Sequence, residues 1–496
     1  TISYSVTGVQ TCALPISKPD VMSPVSLLIL VFSYFGLLFL ITWISSRKAS
    51  NFTFFLGNRK SPWFVVAFGM IGASLSGVTF MSVPGWVGAS QFSYMIMVLG
   101  YLLGYTVIAL VLMPMYYKLN LTSIYSYLET RFGFWSYKTG SFFFLLSRTI
   151  GASFRMYIVI NVLQLFIFDK LSVPFVFTVI LFLVLVIVYT FQGGIKTIVW
   201  TDTLQTIFML MAVGMSIFFI SKDLNLSLGN LIQRVSESEM SDMLFAGWMD
   251  KRNFIKQFLS GAFIAIAMTG LDQEMMQKNL SCRNIKDAQK NMFSFSIILV
   301  FVNLMFLFLG AILFIYAAEK GIHVPPTTDD LFPTIALNYL GPIAGLVFMI
   351  GLISAAFPSA DGALTSLTTI FCIDFLNFNK RTEMDERKKK RIRYLVHFSF
   401  AAVLLLVIVL FKAINNQAVI NKLFTIAGYT YGPLLGLYAF GLFSKRPVAD
   451  RFVPLIALLS PVLCYIINIL LPMFFNGFTL GFELLLLNGF LTCIGL

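Results

Sequence analysis

Long apolar runs recur along this 496-residue chain and constrain its fold more than any other feature. Hydrophobic residues make up 58% of the sequence and charged residues only 11%, against roughly 25% charged in a typical soluble protein. Because only internally hydrogen-bonded structures are stable in lipid, a spanning helix needs about 20 apolar residues. The runs predict an all-α polytopic membrane protein with about thirteen spans, at 24–45, 63–88, 92–116, 138–168, 174–191, 196–220, 254–276, 289–317, 341–373, 395–413, 419–443, 452–473 and 477–496.

The span at 63–88 contains a stretch from Gly69 to Gly85 that is typical of a broken helix. It reads GMIGASLSGVTFMSVPG: its glycines lower helix propensity, Pro84 removes a backbone donor, and its hydroxyls lie where lipid cannot pair them. Backbone that opens at this depth is stable where it lines a cavity, and its free carbonyls suit hard cations. Two interpretations stay open: an ion and substrate site, or a small-residue surface for helix packing.

A second stretch, from Gly345 to Asp374, combines small residues with Pro358, several hydroxyls and Asp361. Small residues let another helix approach closely, whereas hydroxyl and carboxylate oxygens are cation ligands. Ser359 and the carbonyl that Pro358 leaves without a donor are predicted to complete a cation site begun by the broken helix. Helix packing alone is the alternative.

Arg148, Arg155 and Asp202 are charged residues within predicted spans. Arg148 and Arg155 are seven residues apart, which places them on one helix face about 10 Å from each other. A guanidinium at this depth needs a partner or water, so the pair indicates either structural ion pairing or recognition of an anion such as a carboxylate. Asp202, close to the start of its span, is a predicted functional residue, with a carboxylate satisfied at a helix end as the alternative.

The net charge of +13 does not indicate a nucleic-acid partner, because of where the basic residues lie. With the N-terminus outside, 23 of the 35 Lys and Arg fall in cytoplasmic loops and 10 in external segments. The positive-inside rule then predicts a multi-pass protein of the cell (inner) membrane with an external N-terminus and a cytoplasmic C-terminus. The basic run from Arg387 to Arg393 is expected to contact anionic membrane lipid.

The remaining composition excludes most enzyme classes. The five cysteines show no paired spacing and the two histidines cannot form a metal cluster, so no disulfide framework or transition-metal site is predicted. No catalytic triad, phosphate-binding glycine loop or pair of catalytic carboxylates is found. We interpret residues 1–20 as a foreign segment, with a native start near Met22, and the end at Leu496 as a truncation.

Five segments, in this order and spacing, resemble the sodium:solute symporter family: PWFVVAFGMIGASLSGVTF, TSIYSYLETRFG, GGIKTIVWTDTLQ, GLDQEMMQKNL and SAAFPSADGALTSLTTIFCID. The resemblance covers roughly residues 24–496. It implies a single transporter domain with a LeuT-type fold: a leading helix at 24–45, two inverted repeats of five helices at 63–220 and 254–443, and trailing helices at 452–496.

The resemblance also implies sodium as the coupling ion. The family's common sodium site matches the backbone carbonyls of Gly72, Leu75 and Ala355 and the hydroxyl of Ser359. Relatives often have a second hydroxyl residue where this chain has Pro358, so the affinity for sodium is expected to be lower.

A second sodium site in the family matches Asp202 together with two serines. Those serines are replaced here by Asp361 and Gly362. Asp361 is therefore the candidate to supply the missing oxygen ligands beside Asp202.

The site residues are more similar to those of the sialic acid symporters than to those of the sugar symporters. Galactose carriers use an asparagine and a tyrosine where this chain has Ala265 and Met268. The resemblance implies these substrate residues: Ser74, Ser76, Thr79 and Arg155, with Arg155 binding the carboxylate.

The sequence thus predicts a sodium-coupled secondary symporter that imports a small organic solute by alternating access and is not an enzyme. A carboxylated sugar such as sialic acid is the leading substrate. The alternatives are a neutral sugar, an amino acid or a vitamin, or a non-coupled channel or sensor of the same fold. The expected partners are the solute, sodium and membrane lipid, without nucleic acid.

Overall fold

The computed structural model describes residues 24–45, 51–190, 194–381, 383–414, 419–475, 478 and 480–496. Residues 1–20, interpreted from the sequence as a foreign segment, lie outside these ranges. The described chain is almost entirely helical, with α1 (Pro24–Ser45), α2 (Asn51–Leu56), α3 (Trp63–Ser74), α4 (Gly77–Ser90), α5 (Tyr94–Val107), α6 (Met113–Lys118), α7 (Ser126–Arg131), α8 (Phe134–Leu163), α9 (Phe175–Thr190), α10 (Ile195–Asp223), α11 (Leu228–Ser236), α12 (Phe254–Ala265), α13 (Gln273–Leu280), α14 (Ile285–Glu319), α15 (Leu331–Asn338), α16 (Pro342–Ile370), α17 (Glu386–Ile414), α18 (Val419–Phe443), α19 (Val453–Phe474) and α20 (Leu484–Gly495).

The helices have the length and surface of membrane spans. Within the described ranges, seven are long and apolar enough to cross a bilayer, and α12 with α13 makes an eighth if that bent pair is one span. Large apolar side chains on their outer faces stay exposed, among them Phe301 at 67% and Phe218 at 60%. Such a surface is stable facing lipid, where helices satisfy their own backbone groups. The predicted all-α, multi-pass class is confirmed.

The predicted broken helix is confirmed at Leu75 and Ser76, between α3 and α4. Leu75 has φ −88° and ψ 65°, and Ser76 has φ −63° and ψ 177°, so neither residue is helical. The chain becomes helical again at Gly77 and continues through Pro84. The break follows from the low helix propensity of the serines and glycines on both sides, which offer little resistance to opening the backbone.

A second break separates α12 from α13, which are bent by 66° relative to each other. The end of α12 widens into a π-helical turn at Ile266–Gly270, and Leu271 then leaves the helical conformation with φ −105° and ψ 11°. Asp272 begins α13 by accepting a 3.2 Å hydrogen bond from the backbone N–H of Met275. An aspartate in this position pairs one of the free N–H groups of a helix start.

Helix α3, which leads into the break, is held against α10 by hydrogen bonds. The hydroxyls of Thr203 and Thr206 each donate a 3.0 Å hydrogen bond to a backbone carbonyl of α3, at Val65 and Phe68 respectively. A Cβ at Gly72 would collide with the Thr206 hydroxyl. Gly72 therefore allows the close approach of α10, and with it the approach of Asp202 one turn away.

The centre of the molecule is α16, in which every residue from Gly351 to Ile370 is buried. The helix runs through Pro358 without ending, so the carbonyl of Ser354 receives no backbone donor from that residue. Ser359 and Asp361 are both fully buried. Because α16 contacts α3, α8, α10 and α13, its polar residues are enclosed by other helices rather than exposed to lipid.

Candidate functional site

A cavity lies at the break between α3 and α4 and is walled by α5, α8, α12, α14 and α18. The break contributes three hydroxyl residues and α8 contributes two arginines. All four predicted substrate residues line this one cavity: Ser74, Ser76, Thr79 and Arg155. Ala265 and Met268, the positions that galactose carriers would use, line it as well. The tertiary structure therefore brings together residues that are up to 194 positions apart, although their roles stay predictions.

The predicted first sodium ligands include atoms that lack partners in the protein. Because α3 ends at Ser74, the carbonyls of Gly72 and Leu75 lose their helical donors, and no backbone N–H of the described residues replaces them. Across from α3, on α16, the Ser359 hydroxyl is fully buried and has no hydrogen-bond partner in the part of the chain that the structure describes. An unpaired hydroxyl is costly to bury, and hard oxygens of this kind fit sodium. The residues present therefore suit the ion that the sequence predicts.

Asp202, which is predicted to belong to the second sodium site, forms an ion pair. The Lys278 ammonium on α13 lies 2.6 Å from Asp202 Oδ2 and 3.4 Å from Glu274 Oε1. No described residue forms a hydrogen bond with Asp202 Oδ1. All three side chains are at most 1% exposed, so their charges are stabilised by one another and not by water.

The predicted spans end at residue 276 and resume at 289, which leaves Lys278 in a loop between them, and this placement in a loop is wrong. The residue belongs to α13 and is 1% exposed. The cause is the break at Leu271: α13 turns back into the protein and carries its basic residue towards α10.

Arg148 joins the same group of buried charges. Its guanidinium forms a close ion pair with Glu274 Oε2 and lies 3.7 Å from Asp272 Oδ2. Asp272 Oδ2 also accepts a 2.6 Å hydrogen bond from the Tyr431 hydroxyl on α18. Of the two interpretations left open by the sequence, structural pairing is therefore the one that the structure favours for Arg148.

Arg155 differs from Arg148, although both line the cavity from α8. No carboxylate of the described residues lies within 4.0 Å of its guanidinium, whereas that of Arg148 is paired with Asp272 and Glu274. A cavity-lining arginine without a protein carboxylate is the arrangement expected for binding an anionic group.

Asp361, the other predicted second-site residue, lies on the face of α16 next to α13. Its Oδ2 accepts a 2.9 Å hydrogen bond from Tyr189, and its Oδ1 accepts one of 2.5 Å from the backbone N–H of Gly362. A Cβ at Gly362 would collide with the Glu274 carboxylate. This position must therefore be glycine in the observed packing.

Sequence reasoning missed several polar residues of this region. Tyr94, Tyr101 and Tyr105 line the cavity, as does Asn303, whose buried Oδ1 has no partner. The three tyrosines are spaced by seven and four residues, which puts them on one helix face. That spacing, inside an otherwise apolar span, was the available signal.

Comparison with known proteins identifies the family. The model of the sodium:solute symporter family matches residues 54–450. The chain is 26% identical over 478 residues to the sodium/sialic acid symporter NanT of Aliivibrio fischeri, which covers 94% of this chain and 92% of the relative. It is 24% identical to the sodium/sialic acid symporter SiaT of Proteus mirabilis, covering 85% and 86% of the two chains.

Two solved structures share the fold. One is a Na⁺-coupled sialic acid symporter in a substrate-bound outward-open state, with a TM-score of 0.80 and 21% identity over 94% of this chain and 96% of that one. The other is Mhp1, a nucleobase-cation-symport-1 family transporter in a closed conformation, with a TM-score of 0.55 and 14% identity over 89% and 92%.

The chain belongs to the sodium:solute symporter family. It is a sodium-coupled transporter of the membrane and not an enzyme. The family and the coupling ion that the sequence predicts are therefore confirmed.

Proposed function

We propose that this chain imports a carboxylated sugar of the sialic acid type together with sodium. The observation that carries the proposal is the contrast between two arginines on one cavity wall. Arg148 is neutralised by Asp272 and Glu274, whereas Arg155 has no such partner among the described residues. A carboxylate on the solute supplies the negative charge that Arg155 lacks and matches its two parallel donors.

Other residues that line the cavity suit the rest of such a solute. Ser74, Ser76 and Thr79 present hydroxyls that both donate and accept hydrogen bonds, as a polyhydroxylated ring requires. Ala265 and Met268 present an apolar surface in the same cavity. A neutral sugar would leave Arg155 unpaired, and the relatives described as sodium/sialic acid symporters support the acidic solute.

Sodium and solute are coupled in this proposal because their sites share one piece of backbone. Leu75, whose carbonyl is a proposed sodium ligand, lies between the proposed substrate residues Ser74 and Ser76. The remaining proposed ligands are the carbonyls of Gly72 and Ala355 and the Ser359 hydroxyl. Sodium that orders the break also orders the serines, so binding of either ligand raises the affinity for the other.

For the architecture, we propose thirteen spans in one transporter domain, with a leading helix at 24–45, inverted repeats at 63–220 and 254–443, and trailing helices at 452–496. The two breaks support the pairing of repeats. Each proposed repeat begins with a broken helix, α3 with α4 and α12 with α13. Alternating access then moves these broken helices relative to the others.

The location also remains a proposal, whereas the second sodium ion is left as a prediction from the sequence. The basic loops support a protein of the inner membrane with an external N-terminus and a cytoplasmic C-terminus. For the second sodium predicted at Asp202 and Asp361, a favourable observation is that Asp202 Oδ1 has no hydrogen-bond partner among the described residues. The Lys278 ammonium on the other oxygen of Asp202 weighs against it.

The test is uptake of radiolabelled N-acetylneuraminic acid into proteoliposomes with an inward gradient of sodium or of choline. We expect accumulation above equilibrium only with sodium. Arg155→Lys keeps the positive charge but loses the two parallel N–H donors of the guanidinium, so uptake should fall at least tenfold, equivalent to about 1.4 kcal/mol. Arg234→Lys, at an exposed ion pair with Glu319, is the matched control and should transport normally.

Four results would contradict the proposal. Uptake of the acid without sodium would refute the proposed coupling between sodium and the solute. Normal transport by Arg155→Lys would return that residue to a structural role. Transport restricted to an uncharged sugar, an amino acid or a vitamin would replace the substrate class, and equilibration without accumulation would favour the channel alternative.

A further inference from the structure

Buried charges of both signs surround Asp202. Four carboxylates, Asp202, Asp272, Glu274 and Asp361, lie in the buried region between α10, α13 and α16, and each is at most 1% exposed. In the same region the protein supplies two cations, Arg148 and Lys278. Arg148 is engaged by Glu274 and Asp272, which leaves Lys278 as the cation nearest to Asp202.

The geometry at Lys278 is that of a bound cation. Its ammonium contacts a carboxylate oxygen from each of two helices, Asp202 Oδ2 on α10 and Glu274 Oε1 on α13. It is 1% exposed. A single positive charge held by buried oxygens from two elements is also what a sodium ion would provide there. The ammonium differs in being covalently attached, so its effective concentration at Asp202 does not depend on the concentration of sodium.

The neighbouring helix reinforces this position. The Glu274 carboxylate lies against Gly362 of α16, where a side chain would collide with it. Asp361 lies close enough to Asp202 and Lys278 to interact with both charges, and Tyr189 holds one of its oxygens. A sodium ion placed on Asp202 would therefore have to fit beside an ammonium of the same charge, in a region of low dielectric constant where like charges repel strongly.

We propose that the Lys278 ammonium occupies the second cation position at Asp202, so that this transporter binds one sodium ion per cycle. The consequence of this inference for transport rests on the proposed function. A monoanionic solute that enters with one sodium carries no net charge, so the membrane potential does not drive its uptake. Lys278 thereby determines the coupling stoichiometry without contacting the solute.

The experiment measures the number of ²²Na⁺ ions bound by the purified chain in detergent, at pH 8 and constant ionic strength with choline, and therefore does not depend on the solute. We expect one ion for the native chain. Lys278→Met should bind two, because Asp202 loses its ammonium and takes up a second sodium. Lys256→Met, which removes another buried lysine remote from Asp202, is the matched control and should bind one.

A second variant keeps the inference testable if Lys278→Met does not fold. Asp202→Asn should still bind one sodium, because Asp202 holds Lys278 and not the ion, whereas a second sodium at Asp202 predicts a fall from two to one. In proteoliposomes, uptake of the acid by the native chain should generate no current under an imposed potential, and uptake by Lys278→Met should generate an inward one.

The outcomes separate the two proposals. Two ions per native chain, or one ion in a folded Lys278→Met variant, would overturn the inference and leave sodium-coupled uptake of the acid intact. No bound sodium in the native chain would refute the sodium site itself. One sodium in the native chain together with transport of an uncharged solute would refute the proposed substrate and keep the stoichiometry.

Discussion

Ser359→Ala tests the first sodium site through two opposite effects on stability. The hydroxyl is fully buried and unpaired in the protein, and such a group costs roughly 1–3 kcal/mol to bury. Its removal should raise the melting temperature of the sodium-free protein, because the alanine leaves no unpaired group. The same change removes a proposed ligand and should weaken sodium binding.

The magnitude of the second effect follows from linkage. Sodium at 100 times its Kd stabilises the folded protein by about 2.7 kcal/mol. A tenfold weaker Kd leaves the same concentration at ten times Kd, where the stabilisation is about 1.4 kcal/mol. We therefore expect Ser359→Ala to lose roughly half of the sodium-dependent stabilisation while starting from a more stable sodium-free state.

The assay is thermal unfolding of the purified protein in detergent, in a sodium series balanced with choline. Ser366→Ala is the matched control, because Ser366 lies two turns further along α16, is fully buried and donates a 3.1 Å hydrogen bond to the Ala363 carbonyl. It should not gain stability and should keep the native sodium response. A sodium response of Ser359→Ala equal to that of the native protein would refute the role of Ser359 as a ligand.

Two further predictions concern charged residues away from the substrate. Glu274→Gln should lower the melting temperature, because breaking a buried ion pair costs about 3–5 kcal/mol. Adding Arg148→Gln should restore part of the lost melting temperature. An unchanged melting temperature of the Glu274→Gln variant would contradict the ion pair. Asp330 lies in the loop before α15, where burial and the neighbouring Asp329 raise its pKa to about 6. Because this folded-state pKa lies above the unfolded value of about 3.9, the folded protein loses stability as the pH rises through 6 and Asp330 ionises. Asp330→Asn should therefore stabilise the protein at about pH 7.5 and not near pH 4. Equal effects of Asp330→Asn at the two pH values would contradict that shift.

Much of the fold was predictable because its causes are local. An apolar run of sufficient length becomes a helix in lipid whatever its neighbours are. The break at Leu75 follows from the serines and glycines around it. The burial of Ser359 and Asp361 follows from the apolar run in which they lie. These properties depend on the composition of about 20 consecutive residues.

That the predicted substrate residues share one cavity was predictable for a different reason. Ser74, Ser76 and Thr79 lie within six positions of one another, so one break brings all three to the same cavity. Arg155 was assigned through the family resemblance, and its difference from Arg148 was not visible in the sequence. Both arginines occupy one face of α8, and only the approach of α13 neutralises one of them.

The sequence by itself determined that this chain is an all-α membrane protein with an opened helix and a hydroxyl-rich central span. The tertiary structure alone decided which buried charges meet. Lys278 and Asp202 are 76 residues apart, and their pairing depends on the 66° bend that returns α13 to α10. No local preference specifies such a contact, because the free energy of a buried charge depends on which opposite charge the packing of other helices brings within reach.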